Sequence, residues 1–155
     1  MSIRPSVSST IRLGFCLFLD DYRQPEQVPH LTQYVPSARS WTIVRTIPEF
    51  KAALKNGLPE YLSLDHDLDP VHYDRYSQVP EDWKEKSDKE KRQLYERLYL
   101  TTKSPTGLDA LQHLITDYLK PTSIVLPFIH FHTFNELARW YMRQVYADYL
   151  EAVVD

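Results

Sequence analysis

YLSLDHDL, residues 61–68, runs from an apolar segment straight into three ionisable side chains, Asp65, His66 and Asp67. Tyr61 to Leu64 lacks the polar alternation of a half-exposed strand, which predicts a strand covered on both faces, as in a parallel sheet. Three more runs read the same way. Leu13 to Leu19 ends at Asp20 and Asp21, Trp41 to Val44 ends at Arg45, and Ile124 to Phe131 ends at His132. Helix signals separate them. Thr46-Ile-Pro-Glu49 is a capping box with proline in the first turn, and Gly57 closes that helix. Thr106-Gly-Leu-Asp109 opens a helix that carries Leu108, Leu111, Leu114, Ile115 and Leu119 at helical spacing up to Pro121. Thr133-Phe-Asn-Glu136 reads as a third capping box, before a long helix through Leu137, Tyr141, Val145 and Tyr149.

Alternating strands and helices predict an α/β fold with right-handed crossovers. Four parallel strands in the order 2-1-3-4 make a short, three-layer, flavodoxin-like sandwich. In such sheets ligands bind beyond the carboxyl ends of the strands, at the switch point. Asp20 and Asp21 end strand one and Asp65 ends strand three, so the order 2-1-3-4 makes these acids neighbours. The rhythm breaks at residues 69–103, far longer than an ordinary strand-to-helix loop. This insert predicts a helix after strand three. That helix is apolar on one side near its end, at Leu94, Tyr95, Leu98 and Tyr99, and its place just after the DHD stretch offers a cap for the site, while the charge of EDWKEKSDKEK favours reading the insert as a solvated decoration.

At 155 residues the chain suits one domain, 11–155, behind a polar leader at 1–10. A net charge of −3 excludes a global basic field for nucleic acid. No apolar run is long enough for a bilayer, and no secretory signal is evident, so the expected location is cytoplasmic. The one cysteine, Cys16, lies in the run FCLFL as a buried thiol. With 3 glycines, a glycine-rich phosphate loop is excluded. There is neither a nucleophile elbow nor zinc-type Cys/His spacing.

Clustered carboxylates repel and need a compensating group. An oxygen-preferring divalent cation such as Mg²⁺ or Mn²⁺ on Asp20, Asp21 and Asp65 is one answer. Protonation of one acid, or pairing with Arg23 and Arg45, is another, and arginine is also a bidentate partner for phosphate. His130 and His132, two apart, point to one side of an extended strand. With His66 they offer general acid–base groups or, with Asp65 or Asp67, ligands for a transition metal. Asn135 and the first amides of the last helix offer an oxyanion site or a simple cap. His30, His72 and His113 read as surface residues.

LFLDDYRQP (17–25), WTIVRT (41–46), LSLDHDL (62–68), TGLDAL (106–111) and IHFHTFN (129–135), in this order, resemble the cyclic-phosphate-processing receiver domains, relatives of response-regulator receivers. The resemblance covers most of the chain except the leader and insert. It implies a receiver-like sheet, with Asp20 and Asp21 as the acid pair and Asp65 at the phosphoacceptor position. It places Arg23, Arg45, His66, Asp67 and His130 at positions typical of the cyclic-phosphate branch. It departs in three places: Asp69 and Pro70 stand where glycine is usual, Phe131 follows His130 where a small residue is usual, and the insert is long. No fifth strand follows the last helix, an expectation against ordinary phosphorelay.

The implied activity is processing of a cyclic phosphate, a 2′,3′-cyclic nucleotide or RNA end, by a hydrolase or phosphodiesterase. Asp65, His66 and His130 are its catalytic candidates. Arg23, Arg45, Asp67, His132 and Asn135 are the substrate-binding ones. The alternative is a non-catalytic phosphate- or nucleotide-binding signalling module that meets a protein partner through the insert or the last helix.

Overall fold

The computed structural model describes residues 15–28, 31, 40–122 and 126–154. The leader expected at 1–10, the start of the first strand run, His30 and Ile124 lie outside them. Four strands, β1 (Cys16–Leu19), β2 (Trp41–Val44), β3 (Tyr61–Leu64) and β4 (Phe128–Phe131), form one parallel sheet in the order β2-β1-β3-β4. This is the 2-1-3-4 order expected, in a receiver/flavodoxin-like α/β fold.

The register sets the functional edge. Leu19 pairs with Val44 and with Leu64, and Leu64 pairs with Phe131. The next residue of each strand therefore falls in a single row: Asp20, Arg45, Asp65 and His132. Backbone bonds extend the sheet into that row. The amides of Asp20, Asp65 and His132 donate to the carbonyls of Val44 (3.2 Å), Leu19 (2.9 Å) and Leu64 (2.9 Å).

Side chains alternate across the sheet. Leu17, Leu19, Leu62, Leu64 and Phe131 join the principal core with the helices, and Phe18 belongs to a smaller cluster with Val28 and Leu31. The helices are α1 (Ile47–Leu54), α2 (Pro70–Tyr76), α3 (Asp88–Tyr99), α4 (Gly107–Leu114) and α5 (Glu136–Val154). Thr46 caps α1 as expected, its hydroxyl accepting from the Glu49 amide. Thr106 and Asp109 cap α4 reciprocally. Gly57, at φ 122°, takes the left-handed position after α1.

Two boundaries differ from the sequence reading. The cap of α5 is Asn135, whose side-chain oxygen accepts from the Ala138 amide, while the Thr133 hydroxyl accepts from Asn135 one turn earlier. Thr and Asn are both good capping residues, and the chain uses them in succession. Helix α4 also runs on through a widened turn, Ile115–Leu119, into Lys120–Thr122, so Pro121 lies within its final turn. The widened turn already interrupts the regular hydrogen-bond ladder that proline would break.

The insert is not a solvated decoration. Its charged first half is exposed, but Leu94, Tyr95, Leu98 and Tyr99 are buried in the principal core. Tyr95 stacks on Tyr141 of α5 at 3.9 Å. Burying such side chains contributes roughly 1.5–3 kcal/mol each, which outweighs the solvation of the flanking charges. His72, expected at the surface, is fully buried. Its Nδ1 accepts from the Leu68 amide at 2.9 Å and its Nε2–H donates to the Ser104 carbonyl at 3.2 Å, tying the two ends of the insert together.

Helix α4 is pressed against the functional row. The Gly107 amide donates to the His66 carbonyl at 3.0 Å, and a Cβ on Gly107 would lie 1.8 Å from the Asp65 carbonyl oxygen. Because the obstacle is backbone, Gly107→Ala is expected to cost at least about 2 kcal/mol, read as a fall in denaturation midpoint. A melting curve unchanged from wild type would refute this packing.

Candidate functional site at the carboxyl edge of the sheet

Asp20 anchors the row. Its side chain is fully buried and accepts four hydrogen bonds. Oδ1 takes the amides of Tyr22 (3.0 Å) and Arg23 (2.8 Å), which curls the chain back immediately after β1. Oδ2 takes Arg23 Nε (2.8 Å) and His132 Nε2 (2.9 Å). Burial alone would raise this carboxyl, but these bonds and the Arg23 charge overcome it and hold Asp20 well below the usual carboxylate range.

A carboxylate only accepts, so His132 carries its proton on Nε2. Its Nδ1 lies 2.7 Å from the Ser63 hydroxyl, which donates to it, and its ring stacks on Phe18 at 4.6 Å. Burial lowers the His132 pKa, so the neutral ring of this tautomer is the resting form. His132 is thus a positioning group with both nitrogens engaged. His130, half-buried one pleat back opposite Ser63, is held neutral down to about 4, first by burial and then by repulsion from His132 once that ring is protonated and from Arg143 and Arg139.

Arg23 spans the two acids. Besides its bond to Asp20, its Nη2 lies 3.5 Å from Asp65 Oδ2. Arg23 is only 5% exposed, yet its Nη1 is buried without a hydrogen-bond partner. Such an orphaned guanidinium donor is costly unless something else satisfies it. Arg45 does a different job: its Nη1 donates to the Asp20 (3.0 Å) and Arg23 carbonyls, holding the loop that carries Arg23.

Asp65 accepts the His66 amide at 2.8 Å. Burial, then the Asp20 charge, push its carboxyl up to about 7, against the pull of Arg23 and that amide. The row therefore holds one firmly ionised acid and one poised near neutrality. Asp21 stands apart, raised by burial and by Asp20, and accepts from Tyr73 Oη at 3.3 Å.

His66, Asp67 and Asn135 form a second knot beside the row. His66 Nδ1 donates to Asp67, and its Nε2 accepts from Tyr95 Oη at 2.7 Å. Asn135 Nδ2 donates to Asp67 at 3.2 Å and to Tyr99 Oη. The two tyrosines come from α3, so the insert locks this knot from behind. The sequence placed the insert beside the DHD stretch but not these two hydroxyl bonds, and it missed Ser63, whose one signal was a polar residue inside an apolar strand.

Among the described residues, Asp20, Asp65 and His132 each offer a ligating atom within 4.8 Å of one another. Asp21, expected as a metal ligand, is outside this cluster, and so is His130. In this arrangement both Asp20 oxygens accept hydrogen bonds, His132 Nε2 faces Asp20, and the Arg23 guanidinium bridges the two acids. The compensating cation here is Arg23, one of the answers that the sequence left open.

The family model described as cyclic-phosphate processing receiver domain matches residues 15–148, most of the chain and all four strands. No curated protein and no solved structure matches. No helix among the described residues is long and apolar enough to cross a membrane.

The raised Asp65 carboxyl has a thermodynamic signature. The folded state keeps its proton where the unfolded chain has lost it, so this group's contribution is full below 3.8 and is lost as pH rises through about 7. Asp65→Asn, which resembles the protonated acid, is expected to melt several degrees above wild type at pH 8, an advantage that shrinks toward pH 5. An advantage of the same size at both pH values would refute the shift.

Proposed function

The chain belongs to the family of cyclic-phosphate processing receiver domains, and we propose that it opens a 2′,3′-cyclic phosphate, on a nucleotide or an RNA end, at the Asp20–Arg23–Asp65 row. One observation carries this reading: a buried guanidinium with an unpartnered Nη1 beside a carboxyl that titrates near neutrality. The first is a ready anchor for a phosphate oxygen. The second is a general base or acid matched to physiological pH.

The geometry supports the following roles. Arg23 Nη1 takes a phosphate oxygen and neutralises charge that develops on it. Asp65, as carboxylate, takes a proton from water as the water oxygen bonds to phosphorus. One ester bond breaks, and the same proton passes from Asp65 to the leaving ribose oxygen, giving a phosphomonoester. Asp20 stays ionised throughout and holds Arg23 in place, with His132 and Arg45 fixing the loop behind it. His66 keeps the backbone of Asp65 and Asp67 in register; both its nitrogens are engaged internally, so it is a positioning residue rather than a proton carrier.

A second reading, a binding module without turnover, draws on one fact: His66 and His132 have both nitrogens engaged and His130 stands one pleat back from the row, so within the row proton transfer rests on Asp65. Steady-state assays on 2′,3′-cyclic mononucleotides separate the two. Turnover is expected, rising through about pH 7 as Asp65 ionises, with kcat falling roughly 10²–10⁴-fold in Asp65→Asn and binding lost in Arg23→Ala. Calorimetric binding without any product would select the module. Neither binding nor product would overturn both.

A further inference from the structure

Two large aromatic rings stand in water at the mouth of this site. Tyr22 is 61% exposed and Phe134 62%, although most other tyrosines of the described chain are at least half-buried. The Arg23 guanidinium carbon lies 4.5 Å from the Phe134 ring centroid and 6.0 Å from that of Tyr22. Their exposure is not loop slack. The Tyr22 amide is bonded to Asp20 Oδ1 at 3.0 Å, and the Phe134 carbonyl accepts from Tyr76 Oη at 3.3 Å. Both backbones are pinned while both rings are left bare.

We infer that Tyr22 and Phe134 are the nucleobase subsite of the phosphate anchor, so that the ligand is a nucleoside 2′,3′-cyclic phosphate and not a small base-free cyclic phosphate. The inference rests on the proposed function and adds to it the part of the ligand that gives selectivity. A phosphate on Arg23 Nη1 leaves its nucleoside beside these rings. A ring whose one face is occupied by a guanidinium still offers a face or an edge to a base. Exposed aromatics next to a cationic phosphate anchor are the recurring arrangement for holding unpaired nucleotides, with a tolerance for any base because every base has a π-face. A free nucleotide and the terminal residue of an RNA strand share this chemistry.

The test is a calorimetric titration of the full chain with adenosine 2′,3′-cyclic phosphate, glycerol 1,2-cyclic phosphate and a short RNA ending in a 2′,3′-cyclic phosphate. Wild type is expected to bind both base-bearing ligands at least fivefold more tightly than the glycerol compound, in keeping with stacking worth roughly five- to a hundredfold per base. The tighter of the two base-bearing ligands identifies the source. Phe134→Ala and Tyr22→Ala are expected to shrink the base preference, and Phe134→Tyr to keep it. Equal affinity for adenosine and glycerol cyclic phosphates would overturn the subsite and leave the phosphate anchor standing. Binding of none of the three would overturn the anchor, and the subsite with it.

Discussion

The structure depends on the pairing of Arg23 with Asp20. Two carboxylates at the ends of adjacent buried strands cannot both stay ionised without a compensating charge. Asp20 solves this locally. Its oxygens capture two amides of its own loop, and that turn delivers the guanidinium three residues later back onto the same carboxylate. One side chain thus shapes the loop, supplies the counter-charge and leaves Asp65 as the acid that absorbs the remaining repulsion. The asymmetry between the two acids follows from the bonds each accepts, four for Asp20 against a loose ion pair and one amide for Asp65.

The second organising feature is the insert. It interrupts the strand–helix alternation, yet its last helix is part of the core and reaches the DHD segment through Tyr95 directly and through Tyr99 by way of Asn135. The knot of His66, Asp67 and Asn135 is therefore assembled from β3, the insert and the start of α5. Buried polar networks hold their geometry only when every member is satisfied, and the two tyrosine hydroxyls complete this one.

Much of this was legible in the residues. The four apolar runs, two of them ending in acids, predicted the sheet, its order and its functional edge, because a continuous apolar strand has few other places to go. The caps at Thr46 and Thr106 were readable for the same reason: their chemistry is local. What was not legible depended on long-range packing. The helix of the insert and its apolar side were readable, but the charge of EDWKEKSDKEK concealed that this side is buried in the principal core. His72 looked like a surface residue because nothing in sequence shows that Ser104 comes back to meet it. His130 and His132 are equivalent by spacing, and only the register with Leu64 and Asp20 shows which of them reaches the row.

The single row formed by Asp20, Arg45, Asp65 and His132 carries a consequence for how such a domain tolerates changes in length. Strand side chains alternate with a period of two, so one residue added or lost within a strand turns its terminal side chain to the opposite face. Insertions before the strands, in the stretch around Gly57 or ahead of Phe128, leave the row untouched. One inserted anywhere from Cys16 to Asp20, or from Tyr61 to Asp65, removes an acid from its partner outright. The sheet is thus open to variation at its amino edge and fixed in length toward its carboxyl edge, a polarity that descendants of this chain would have to inherit.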